Sequence, residues 1–163
     1  MKRISFLVIA AATQLAQAQV ASPLVTQDNL QQTICNTQYV VGNKAPMTYS
    51  RAVRPPVSYT NAVKVQLFQK RPAAVIAADT KILGRDPVIK DYELDHWIPI
   101  ADGGHPRDPK NLKLQLWMGT NGAKKKDVVE AEVHRRLCAG TMTLQDSMAC
   151  WKDNNWKFCL NQR

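Results

Sequence analysis

Beyond its first dozen residues the chain has no apolar run long enough to cross a bilayer, so no transmembrane segment is expected. It has no C-x-x-C pair, which argues against a structural zinc site. Internal repeats and low-complexity linkers are absent as well, so the sequence is not that of a solenoid or a tether. Acidic residues are scarce, 13 Asp and Glu against 22 Lys and Arg, giving a formal net charge of +9. That excess favours a polyanionic partner, either nucleic acid or an anionic envelope surface, and charge alone does not choose between them.

What is present at the start is a leader. Lys2 and Arg3 precede the apolar stretch Ile4 to Ala12, and Ala16-Gln17-Ala18 has the small-x-small form of a cleavage site. Residues 1–18 therefore read as a secretory signal peptide and 19–163 as a single domain, placing the mature protein outside the cell or in a periplasm. No cysteine ends the leader, so a lipid anchor is not expected. The four cysteines, Cys35, Cys138, Cys150 and Cys159, all fall in the exported part. An even count in an oxidising compartment reads as two disulfides, with three connectivities open. Cys35–Cys138 with Cys150–Cys159 is the favoured set: the first would pin an N-terminal segment to a long helix, and the second would close a short tail.

Local patterns divide the domain. Thr26 to Cys35 reads as a short capped helix, Tyr39 to Val41 as a strand, and Ser58 as the cap of a helix reaching about Lys70, stopped by Pro72. Ala73 to Leu83 fits neither period cleanly. Tyr92 to Ile100 is rich in aromatic and β-branched residues and reads as a strand. Ala101 to Lys110 is a loop with two glycines and two prolines, and Leu112, Leu114 and Leu116 alternate with polar residues in a second strand. Thr120 or Asn121 would cap a helix with Val129, Val133 and Leu137 on one stripe. Thr143 with Asp146 would cap a last one. The order around residues 92–138 is strand, loop, strand, helix.

Within that unit stand Asp95-His96, Ile98-Pro99, Gly103-Gly104, Asn111-Leu112 and Asn121-Gly122-Ala123-Lys124. An acid beside a histidine, and a second polar residue opening a helix, is what a one-metal phosphodiesterase needs. Imidazole titrates near neutrality, so His96 is the candidate general base. The carboxylate of Asp95 is a hard oxygen donor suited to Mg²⁺, and tolerant of Mn²⁺ or Zn²⁺. Asn121 is the candidate second metal ligand, although an asparagine there also suits a helix cap. A one-residue slip would put Gly122 in that place and leave Asp127 or His134 as donor. Lys124, Lys125 and Lys126 form a basic run where backbone N–H groups favour anions, and Arg54 is a further candidate for phosphate contact. His105, Arg107 and His134 read as structural.

These motifs resemble those of the HNH, or ββα-metal, endonucleases, whose pattern runs Asp-His, Ile/Leu-Pro, Gly-Gly, Asn-Leu and a closing His or Asn followed by Lys. The likeness extends over Thr33-Ile34-Cys35, Val53 to Ala62, Tyr92 to Leu112, Gly122 to Glu130 and His134 to Gly140, the pattern of small exported bacterial HNH-type proteins. The closing position is not histidine here. The resemblance implies an α+β fold with a ββα-metal core over about 92–138, flanked by helices. It also implies that Asn111 ties the loop and orients the base, and that Cys35 lies near Cys138. The activity it implies is metal-dependent hydrolysis of DNA phosphodiester bonds with little sequence specificity, by a chain expected to act as a monomer. The rival expectation is a non-catalytic basic protein that binds nucleic acid or envelope polymers on a degenerate HNH scaffold.

Overall fold

The alternating leucines and the aromatic, β-branched run pair with each other as an antiparallel hairpin. Strand β1 (Tyr92–His96) lies beside β2 (Leu112–Leu116) with Tyr92 opposite Leu116, Asp95 opposite Lys113 and His96 opposite Leu112. The computed structural model describes residues 22, 24–152 and 156–161; the leader read in residues 1–18 lies outside them. Because side chains alternate across a strand, Tyr92, Leu94 and His96 share one face with Leu112, Leu114 and Leu116. Glu93 and Asp95 share the other with Lys113 and Gln115. The first strand is shorter than expected. Trp97 still donates to the Asn111 carbonyl at 2.8 Å, but Pro99 has no N–H to continue a ladder, and Ile100–Asp102 turns as 3₁₀ helix.

Prolines set the helix boundaries on the N-terminal side. Helix α1 (Tyr49–Val53) ends before Arg54-Pro55-Pro56, and α2 (Val57–Gln69) opens on Pro56, not Ser58. Helix α3 (Ala73–Leu83) follows Pro72, which settles the ambiguous segment as helix. Residues 26–35 form a 3₁₀ turn over Gln27–Asn29 and further turns in place of a helix, and Tyr39 makes only an isolated bridge to Met47. Helix α2 packs on the apolar face of the hairpin, where Phe68 meets Tyr92 edge-on at 5.8 Å between ring centroids. Arg71 reaches past it to donate to the Tyr92 hydroxyl at 2.6 Å.

On the C-terminal side lie α4 (Ala123–Cys138) and α5 (Leu144–Trp151). Thr143 caps α5 as expected, its hydroxyl accepting from the Asp146 N–H at 3.1 Å. Val129, Val133 and Leu137 of α4 form one buried stripe against Leu30, Ile34, Ile98, Ile100 and Trp151. Burial of each such side chain stabilises the fold by roughly 1.5–3 kcal/mol. Both favoured disulfides are present, Cys35–Cys138 and Cys150–Cys159, and together they fit an oxidising compartment. The fold is thus α+β, a two-stranded antiparallel sheet among helices. Among the described residues no helix is long and apolar enough to cross a membrane.

Candidate active site

The loop between the strands is held by Asn111. Its side chain is fully buried. The amide oxygen accepts from the Ile98 N–H at 2.9 Å, while the amide nitrogen donates to the carbonyls of Ile98 at 3.0 Å and His105 at 2.9 Å. Gly104 is what lets the loop pass so close: a Cβ there would lie 1.9 Å from the Ile98 carbonyl oxygen and 2.9 Å from the Asn111 amide nitrogen. The role implied for Asn111, tying the loop, is what these contacts do. His105 closes the same turn, its Nδ1 accepting from the N–H groups of Arg107 at 3.1 Å and Asp108 at 2.9 Å. His134 Nδ1 meets the Ala101 carbonyl at 3.0 Å. Both rings bond main-chain groups of this loop.

This clamp positions His96. Its Nε2 lies 3.1 Å from the Pro106 carbonyl oxygen, next in sequence to the tethered His105. A carbonyl only accepts, so Nε2 carries the proton in the neutral ring and Nδ1 keeps its lone pair. Nδ1 has no hydrogen-bond partner among the described residues. Burial pushes the imidazole below its ordinary pKa, against the Pro106 bond and Asp95, which favour the charge, while Arg54 and Lys126 lower it further. A ring kept neutral with one free lone pair can take a proton. Arg54 is exposed and close enough for its charge to be felt by the ring, which is where a phosphate-binding residue would be useful.

Asp95 takes a different direction from the strand. One oxygen, Oδ1, accepts from the His96 N–H at 2.7 Å; the other, Oδ2, lies 3.0 Å from the Lys126 ammonium and 3.8 Å from that of Lys113. The placement of Lys126 corrects the reading of the basic run. It is only 1% exposed and is not available to a polyanion, whereas Lys124 and Lys125 are exposed at the start of α4. The signal lay in the helical period: Lys126 shares the stripe of Val129, Val133 and Leu137, and Glu130 follows it at i+4. Burial works against the Lys126 charge, but Asp95 and Glu130 outweigh it and hold its pKa above the usual lysine value. Lys113, half-buried beside Trp97 with its ammonium 4.2 Å from the ring centroid, is pushed down to about 8 by desolvation. Glu93, on the same face, rises to about 7 through burial and the neighbouring Asp95, Asp127 and Glu130.

Asn121 does not cap α4. The cap is Gly122, whose missing Cβ lets the backbone pass against Trp117 and Met118, 2.7 Å from where that carbon would stand. Asn121 is exposed, its backbone carbonyl accepts from Gln115 Nε2 at 2.8 Å, and it lines an open cleft of about 360 Å³ with Trp97 and Lys113. No hydrogen bond joins it to Asp95 among the described residues. Of the donors expected for a divalent ion, Asp95 has one oxygen on the His96 N–H and the other, without a hydrogen bond, 3.0 Å from the Lys126 ammonium, so an ion there would meet a cation already in place. The described residues hold no group of three His, Cys, Asp or Glu placed to share an ion.

No protein-family model, no curated protein and no solved structure matches the chain.

Proposed function

We propose that this chain is an exported phosphodiesterase of the HNH type, acting on nucleic acid and in the first instance on DNA. The observation that carries the reading is the clamped His96, with Nε2 donating to Pro106 and Nδ1 left to take a proton from water at a phosphorus atom. Lys124, Lys125 and Arg54 would neutralise the phosphates on either side, contacts that position a backbone without reading its sequence. No step is assigned to a metal ion. The test is nicking of supercoiled plasmid by purified mature protein, with Mg²⁺ or Mn²⁺ and with chelator, beside His96→Ala. Loss of a positioned base costs on the order of 10²–10⁴ in rate. Wild-type nicking by His96→Ala would remove the base from the reading.

A second reading has its own observation. The ammonium of Lys126 on Asp95 fits a basic protein that binds nucleic acid on the same hairpin without cutting it. Salt-sensitive binding of random duplex with no nicking under any metal condition would select it.

A further inference from the structure

The Lys126 ammonium makes two hydrogen bonds and stands in a close ion pair with a third oxygen. Nζ lies 2.6 Å from Glu130 Oε1, 2.8 Å from the His96 backbone carbonyl and 3.0 Å from Asp95 Oδ2. The indole of Trp151 covers it, with the ring centroid 5.2 Å away. One cation thus gathers residues from β1 and from α4 and touches both members of the Asp95-His96 pair. It does so by the carboxylate of the first and the main chain of the second.

Asp95 already faces a cation. Its Oδ1 takes the His96 N–H, while its buried Oδ2 accepts no hydrogen bond and is paired by charge with the Lys126 ammonium at 3.0 Å, with Lys113 at 3.8 Å. A divalent ion on that oxygen would stand against the buried ammonium already 3.0 Å from it, and two cations on one side of one carboxylate repel. Displacing that ammonium would strand the lysine without partners in the interior, which is costly for a charge.

We infer that Lys126 is the resident cation of this site, holding Asp95 and His96 in register where a divalent ion would otherwise do so. The native chain binds no divalent ion through Asp95. A corollary concerns the space the ammonium fills. Two carboxylate oxygens and one carbonyl oxygen converge on a single point, a hard-oxygen set of the kind Mn²⁺ and Mg²⁺ accept. Emptying that point by Lys126→Met creates a divalent site that the native protein lacks. The inference rests on the ββα reading only in expecting an ion at Asp95 at all.

The experiment is calorimetric titration with MnCl₂ alone, beside thermal melts with and without Mn²⁺, on the full mature chain. Native protein should give no saturable heat assigned to Asp95 and no shift in melting temperature. Lys126→Met should melt lower than native without metal, then bind one Mn²⁺ and rise by about 4 °C or more near saturation. Asp95→Asn added to Lys126→Met should abolish both effects. One-to-one Mn²⁺ binding by the native chain that Asp95→Asn removes would overturn the inference; binding that survives Asp95→Asn places an ion elsewhere and leaves it standing. A folded Lys126→Met or Lys126→Gln that takes no Mn²⁺ would refute the corollary. The native titration decides the main claim even if both variants fail to fold. It is also indifferent to nicking, so a chain that never cuts DNA could still carry the resident cation.

Discussion

Asn111 offers the most direct measure of how much one side chain holds the loop. Its amide makes three hydrogen bonds from a fully buried position, to the Ile98 N–H, the Ile98 carbonyl and the His105 carbonyl. Asn111→Ala removes all three and leaves one donor and two acceptors of the main chain without those partners. A lost bond costs roughly 0.5–1.5 kcal/mol, and an orphaned buried group about 1–3 kcal/mol. Allowing for water entering the vacated space, the loss should be about 3–5 kcal/mol, a large part of the 5–15 kcal/mol typical of a small domain. Urea unfolding of wild type and variant reads it directly. Asn111→Asp is the sharper partner, since the shape is kept but the donor is replaced by an oxygen facing two carbonyls. Its carboxyl should be held protonated by the fold, with a pKa above its unfolded value. The sign follows: the stabilisation is present below the unfolded pKa of about 3.9 and is lost as pH rises through the folded one. Relative to wild type, Asn111→Asp should be least impaired near pH 4 and worse at pH 7. A cost under about 1 kcal/mol for Asn111→Ala, or a pH trend of the opposite sign, would show that Asn111 is not the clamp.

Further outcomes can be measured on the same preparations. Breaking Cys35–Cys138, with a sequence separation of 103, should cost about 4.7 kcal/mol in the chain-entropy treatment, against about 2.7 kcal/mol for Cys150–Cys159 with a separation of 9; paired Cys→Ala variants in urea give the order. The Glu93 carboxyl, raised to about 7 from 4.5, favours the folded state only while protonated, so that stability is lost between those pH values. Glu93→Gln should accordingly melt above wild type at pH 8 and level with it at pH 4.5, by a margin reduced through solvent screening of a half-exposed group. Lys124→Ala with Lys125→Ala should flatten the salt dependence of duplex binding by about one unit per lost phosphate contact, and an unchanged slope would return both lysines to a solvated face. Gly104→Ala should prevent folding, because its methyl group would overlap the Ile98 carbonyl; a soluble, cooperatively melting variant would contradict the packing.

The hairpin and the last two helices were legible because their signals are local. Alternation marks Leu112 to Leu116, the stripe of Val129, Val133 and Leu137 marks α4, and Thr143 with Asp146 opens α5. The proline-flanked segments were harder: a proline bars helix for the residue before it but also makes a good first turn, so Pro56 rather than Ser58 began α2. Reading Lys124-Lys125-Lys126 as one basic surface erred by taking neighbours in sequence as neighbours in space. At 100° per residue the third lysine faces inward, and the acids that receive it come from β1 and from the next turn. Asn121 was misjudged as a cap for a different reason. The tight approach of the chain at Trp117 and Met118 demands a glycine at the cap, and no local pattern announces a long-range close approach.

The bond between Cys35 and Cys138 gives the chain a covalent loop that contains α1, α2, α3, both strands and almost all of α4. A peptide bond cut anywhere inside that loop, for instance in the exposed turn at Gly42-Asn43-Lys44, leaves two pieces that cannot diffuse apart. To a protease the molecule would be a ring with a tail: one nick opens it, and only a second releases a fragment. Electrophoresis would see an intact band without reductant and two fragments with it. The halves of the hairpin, still tethered within reach of each other, would keep the chance to re-pair.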